Sequence, residues 1–184
     1  FNQALRDIKG IDLEFGYRTG LSGLHLPGTL DIALFATNLS RSKTTDRPGP
    51  SGVTTDNAGV QSAAPKWVGS AYINYSLRDV TVGVQTRVTS PVRYSALFVG
   101  PGEPGYSPTL SNSINQNVFP GTVYFNLNGS YNLQLGGSKG QIFANVNNLF
   151  DREPPVYAIA AINLGGNPYD YVGRTFKLGV RFEL

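Results

Sequence analysis

The sequence predicts an all-β fold: an antiparallel up-and-down barrel that crosses a membrane, represented here by about seven long strands. Three observations predict it. Apolar and polar residues alternate with period two over seven segments, the mark of strands with one dry and one wet face. Most of these segments run to ten or more residues, where globular strands usually have five or six and about 9–11 tilted residues cross a bilayer. The links between them alternate strictly between short and long.

The segments justify this one by one. Residues 10–19 put Ile11, Leu13, Phe15 and Tyr17 against Asp12, Glu14 and Arg18. Residues 29–40 are less clean, with Leu30, Ile32, Leu34 and Ala36 opposing Asp31, Ala33, Phe35 and Thr37. Residues 67–77 set Trp67, Ala71, Ile73, Tyr75 and Leu77 against Ser70, Tyr72, Asn74 and Ser76. Residues 80–90 set Val80, Val82, Val84 and Val88 against Thr81, Gln85, Arg87 and Thr89. In 122–135, Val123, Phe125, Leu127, Tyr131, Leu133 and Leu135 face one way, and Tyr124, Asn126, Asn128, Ser130, Asn132 and Gln134 the other. Residues 141–150 offer Ile142, Ala144 and Val146 against Gln141, Asn145 and Asn147. In 172–184, Phe176, Leu178, Val180, Phe182 and Leu184 alternate with Lys177, Gly179, Arg181 and Glu183, and the pattern runs to the last residue. Strand charges fall on the polar face throughout.

The links 20–28, 78–79 and 136–140 are short, whereas 41–66, 91–121 and 151–171 are long and rich in Gly, Pro, Ser and Asn. In consecutive antiparallel strands, odd and even links lie at opposite rims. All short links therefore share one rim and all long ones the other, as in outer-membrane barrels. Trp67, Tyr94, Tyr124, Tyr157, Tyr169 and Tyr171 lie near strand ends, where an interfacial aromatic girdle is expected. A soluble sandwich also alternates, but shorter strands, a face richer in Lys and Glu, and shorter loops would mark it.

Composition agrees. Of 184 residues, 15% are charged, against roughly 25% in a typical soluble domain. No run of 18 apolar residues exists, so a transmembrane helix is excluded. There is no cysteine, hence no disulfide framework or thiol chemistry. The net charge of +3 is scattered, which gives no footprint for nucleic acid. The opening residues Phe1 to Arg6 read as no signal peptide, so the expectation is a mature protein or a piece of a longer one.

Specific motifs then add a resemblance. Lys177-x-Gly179-x-x-Phe182-x-Leu184 resembles the β-signal by which outer-membrane proteins are handed to the barrel-assembly machinery, with Leu184 where Phe is most common. Phe143-Ala144-Asn145-Val146-Asn147-Asn148-Leu149-Phe150-Asp151 resembles the penultimate strand of TonB-dependent outer-membrane receptors, and Gly173 to Phe182 resembles their closing strand. Lys9-Gly10-Ile11-Asp12-Leu13-Glu14 is similar to a strand opening in the middle of those barrels.

The resemblance implies a 22-stranded barrel with a plugged lumen, of which residues 1–184 would be the C-terminal part. The plug, the TonB box and the earlier strands would lie outside this chain. It implies active uptake of a scarce solute, such as a ferric siderophore, a corrinoid or an oligosaccharide, across the outer membrane of a Gram-negative cell. The expected partners are outer-membrane lipid, the assembly machinery, the TonB complex acting through the plug, and a small-molecule or metal-chelate substrate. A passive porin or small self-contained barrel, and a soluble ligand-binding sandwich, are the alternatives.

No catalytic constellation is visible, and no cofactor or metal site is expected. His25 is lone and lies in a short turn. Asp12 and Glu14 share a polar face and read as wall charges balancing Arg18 and Arg87. Gly136-Gly137-Ser138-Lys139-Gly140 lacks the spacing and the following helix of a phosphate loop and reads as a tight hairpin. Arg87, Asn126, Asn128, Asn145, Asn147 and Arg181 are expected to face the lumen. Asn126, Asn128, Asn132, Asn145 and Asn147 would either form a polar ladder there or bond to a plug and water. Arg47, Tyr106, Tyr157, Tyr169 and Tyr171 in the long loops are the candidates for ligand contact, Arg for anionic groups and Tyr for stacking; anchoring or loop packing is the competing role for each tyrosine.

Overall fold

The computed structural model describes residues 5–47, 49–61, 63–155 and 169–183. They form one large antiparallel sheet. Its strands are β1 (Leu5–Gly20), β2 (Thr29–Thr45), the short β3 (Thr54–Asp56), β4 (Trp67–Leu77), β5 (Val80–Thr89), β8 (Thr122–Leu135), β9 (Ser138–Asn147) and β10 (Thr175–Glu183). A separate ribbon pairs β6 (Val92–Arg93) with β7 (Val118–Phe119). The spatial order is β1-β2-β4-β5-β8-β9-β10, with β3 on the outer part of β2. Each of the seven predicted segments is a strand, and each pairs with its sequence neighbour. The described sheet is up-and-down and open: β1 and β10 end the order and do not pair. The one described helix is a single 3-10 turn, Leu21–Leu24, in a short link. No described helix is long and apolar enough to cross a membrane.

The registers fuse the separate alternations into two continuous faces. Directly opposed residues share a face. One row runs Tyr17, Ile32, Ile73, Val84, Leu127, Val146 and Phe176 from β1 to β10. The row on the other side of the same strands runs Arg18, Asp31, Asn74, Gly83, Asn128, Asn145 and Lys177. Slipping one register by a residue would mix the two sets, so the apolar pattern fixes the pairing.

Burial then decides what the apolar face is for. Ile11, Leu13, Phe15, Ile73, Val82, Leu178 and Val180 are all exposed, and no second layer among the described residues covers them. A soluble sandwich would bury this very set. The described buried apolar residues instead sit off that face: Ala58, Val60, Val92, Phe119 and Tyr169 among the loops, and Tyr124 on the polar side of β8. A sheet whose greasy face points outward and whose core is elsewhere suits a lipid solvent, not water.

The aromatic girdle is made by other residues than most of those expected. Trp67 does lie on the apolar face at the long-loop end of β4. Tyr94, Tyr124 and Tyr169 are turned inward instead, because the long loops have a core of their own that needs rings. Phe125, packed edge-on against Phe150 at 5.4 Å, and Phe176 join Trp67 near the long-loop rim. At the short-turn rim, Tyr17, Tyr75, Tyr131 and Phe182 occupy the apolar face. The eight residue steps from Trp67 to Tyr75 give roughly 20 Å of height for a strand tilted 35–45°, close to the ~25 Å apolar band of such barrels.

The short links are tight. Gly136 and Gly137 both have positive φ (57° and 107°), the two-residue turn that matches strand twist. The long loops fold together above the other rim. Val92 and Phe119 of the small ribbon bury against Tyr169, with Tyr94 alongside. Arg93 N–H donates to Gly59 O at 2.7 Å and its carbonyl accepts Gln61 N–H at 2.8 Å, which joins loop 46–66 to loop 90–121. Asn117 is buried and donates its amide to Phe98 O at 2.6 Å. Arg93 pairs with Glu103 at 2.7 Å.

Candidate functional site: the polar face and its outer recess

The polar face carries a hydrogen-bonded row of amides and hydroxyls across neighbouring strands. Gln85 donates to Tyr72 Oη at 2.9 Å, and Asn126 donates to Gln85 Oε1 at 3.0 Å. Asn126 Oδ1 accepts the Asn148 N–H at 2.9 Å, and Asn147 donates to Thr175 Oγ1 at 3.1 Å. Of the expected ladder, Asn126 and Asn147 thus take part through these bonds. Asn128 and Asn145 oppose each other one row below, and Asn132 accepts a bond from Gln141 at 3.0 Å near the short-turn rim.

Above the row lies a recess of about 680 Å³ lined by Arg87, Asn126, Asn147, Tyr169, Tyr171 and Lys177, among others. The strand alternation delivers Arg87, Asn126, Asn147 and Lys177 to it. The third long loop delivers the two tyrosines, and it is tied down at several points. Tyr124 Oη accepts the Asp170 N–H at 3.0 Å, and Tyr169 Oη donates to Pro120 O at 2.8 Å. Arg152 donates to Gly121 O at 3.2 Å. Arg87 sits with its guanidinium carbon 5.6 Å from the centre of the Tyr124 ring, a cation–π contact that holds the charge toward the recess.

The remaining candidates are elsewhere. Arg47 pairs with Asp46 at 3.6 Å at an exposed loop tip, and Tyr106 donates its hydroxyl to Asn115 at 2.6 Å; neither lines the recess. Tyr157 and Leu184 lie outside the described residues. Arg181 lines a smaller recess of about 380 Å³ at the short-turn end, with Asp79, Asn132, Gln134, Lys139 and Gln141. Lys177, Gly179 and Phe182 are on β10. His25 adopts a left-handed turn conformation, φ 56°. Asp12 accepts a bond from Thr37 Oγ1 at 2.6 Å, and Arg18 lies 3.9 Å from Asp31. Asp170, which also lines the outer recess, carries no sequence signal, since only the loop's fold brings it there.

Two loop carboxylates are electrostatically perturbed. The Ser42 N–H, then the Ala58 N–H, hold the Asp56 carboxyl below its usual range. The Val53 N–H does the same to Asp46. Both stabilise the charged form by donating to it, so they serve as loop staples. The recess itself offers hydrogen-bond donors, acceptors, cations and rings. Among the described residues no group of three or more His, Cys, Asp or Glu could hold a metal ion.

No curated protein and no solved structure matches this chain. A family model described as "TonB dependent receptor-like, beta-barrel" matches residues 1–149, which takes in β1 through β9. An open up-and-down sheet with an outward apolar face is the expected form of a piece of such a barrel wall, and by this match the chain belongs to the β-barrel family of the TonB-dependent receptors, outer-membrane transport receptors rather than enzymes.

Proposed function

We propose that this chain forms a C-terminal stretch of the wall and outer loops of a receptor that actively imports one scarce solute across the outer membrane of a Gram-negative cell. The observation that supports this most is the pairing of an uncovered apolar face with a hydrogen-bonded polar face that opens into a recess beneath folded outer loops. In this reading the polar face lines the lumen, with Arg87, Asn126, Asn128, Asn145, Asn147 and Arg181 on it. Tyr169, Tyr171, Tyr106, Tyr157 and Arg47 belong to the outer, ligand-meeting side. Arg87 and Lys177 favour a solute with anionic or strongly polar groups. Ferric siderophores, corrinoids and oligosaccharides are the classes proposed. The unpaired edges of β1 and β10 would meet further strands of the receptor, because open edges cannot face lipid. TonB would act through a plug domain, and Lys177, Gly179, Phe182 and Leu184 would present β10 to the assembly machinery.

The test is uptake by cells carrying or lacking the receptor. Expected is accumulation of one labelled solute that stops when the proton-motive force is collapsed. Accumulation that continues unchanged in de-energised cells would support a passive pore instead.

A further inference from the structure

Gly179 and Phe143 are direct cross-strand partners on the polar face of the terminal hairpin. Phe143 departs from its surroundings: its neighbours on that face of β9 are Gln141 and Asn145. The strand on its other side offers only Ser130 as the register partner. The ring leans toward β10 and lies over the Gly179 backbone. A Cβ built on Gly179 would collide with Phe143 Cζ and would come within 2.8 Å of Cε1 and 2.9 Å of Cε2. Real Cβ atoms essentially never approach other atoms that closely. Leu178 and Val180 on either side are exposed, whereas Gly179 is half-buried.

We infer that Phe143 is a positioning residue that locks the β9–β10 register, and that Gly179 is glycine because the Phe143 ring occupies the space of a side chain. Glycine in a strand leaves bare backbone and weakens pairing. An aromatic ring laid across it from the neighbouring strand restores packing and shields the ladder from water. The fit also selects one alignment. Shifting β10 by two residues keeps the apolar face outward but puts Lys177 or Arg181 opposite Phe143, with a long side chain where the ring must lie. The registers that hydrophobic patterning alone would tolerate are thereby excluded.

This role is separate from any recognition of Gly179 by assembly machinery, and the experiment keeps them apart by using none. The full receptor is refolded from denaturant into phospholipid vesicles as wild type, Gly179→Ala, Phe143→Ala and the double variant. Overpacking predicts that Gly179→Ala lowers the folding equilibrium constant by about tenfold or more. In the Phe143→Ala background the added methyl should change it less than about threefold. Should Gly179→Ala not fold at all, recovery of folding in the double variant supports the lock equally. An equal penalty with and without the ring, or a double variant that also fails while Phe143→Ala folds, would overturn it.

Discussion

Replacing Leu178 with arginine places a cation where the structure provides nothing to receive it. Leu178 is 79% exposed on the apolar face. Its partner is Ala144, its neighbours along β10 on that face are Phe176 and Val180, and the diagonal residues of β9 are Val146 and Ile142. Along the nine residues Thr175–Glu183, Leu178 is one position from the middle, so at ~3.3 Å per residue and a 35–45° tilt it lies within about 3 Å of the midplane. An arginine on the lipid face at that depth costs about 2–4 kcal/mol, or roughly 30- to 900-fold in the folding equilibrium. Arg181→Leu serves as the internal control. Arg181 is on the opposite face, beside Gln141 and the small recess, and its replacement should shift stability by about 0.5 kcal/mol or less. The assay is a urea titration of the receptor in phospholipid vesicles, scored by the gel mobility of folded against heat-unfolded barrel. Equal penalties for the two variants, or a larger one for Arg181→Leu, would refute the assignment of faces.

The loops yield further expectations. The Asp56 carboxyl is held below 3.8, its ordinary value, so its contribution to loop stability is present above that pH and disappears as pH falls through the depressed value. Amide exchange at Ser42 and Ala58 should therefore accelerate in strong acid. An Asp56→Asn variant should lose most of this pH dependence, and identical pH profiles would count against the staple. Tyr169→Phe removes the hydroxyl that donates to Pro120 O and should weaken the loop core by about 1 kcal/mol. Tyr169→Ala opens a cavity there and should cost about 3 kcal/mol or more, read as protease sensitivity of the outer loops with the barrel still folded. Gly83→Ala would set a Cβ against the Asn74 side-chain oxygen and 2.7 Å from Asn128 Oδ1; both are side-chain ends that can swing aside, so the cost should stay at about 1 kcal/mol or less, and a larger loss in thermal melting would show that the amide row is rigid.

Much of this was legible in advance. The seven strands, their two faces and the two kinds of rim follow from alternation and link length, because a residue's face in a sheet depends only on parity. β1 and β2 run further outward than the segments 10–19 and 29–40 suggest. Beyond the bulge at Lys9 and Gly10 the pattern becomes charged, and a charged ribbon above the lipid carries no apolar periodicity. The ribbon of β6 and β7 was not legible, since two-residue strands have no period. Tyr124 reads from the sequence as one more polar-face residue near a strand end. Its burial, and its service as acceptor for Asp170, depend on where a distant loop lands.

Sequence alone determined which side of every strand is apolar, because parity and the absence of charge on one side leave a single choice once the strands pair in order. It also determined that the terminal strand carries the same stripe as the rest. Tertiary structure decided that the apolar face is left uncovered, which separates a membrane wall from a soluble sandwich. It also brought Arg87, Asn126, Asn147, Tyr169, Tyr171 and Lys177 around one recess. These residues are up to 90 positions apart in the chain, and only the register of four strands and the tethering of one loop set their distance in space.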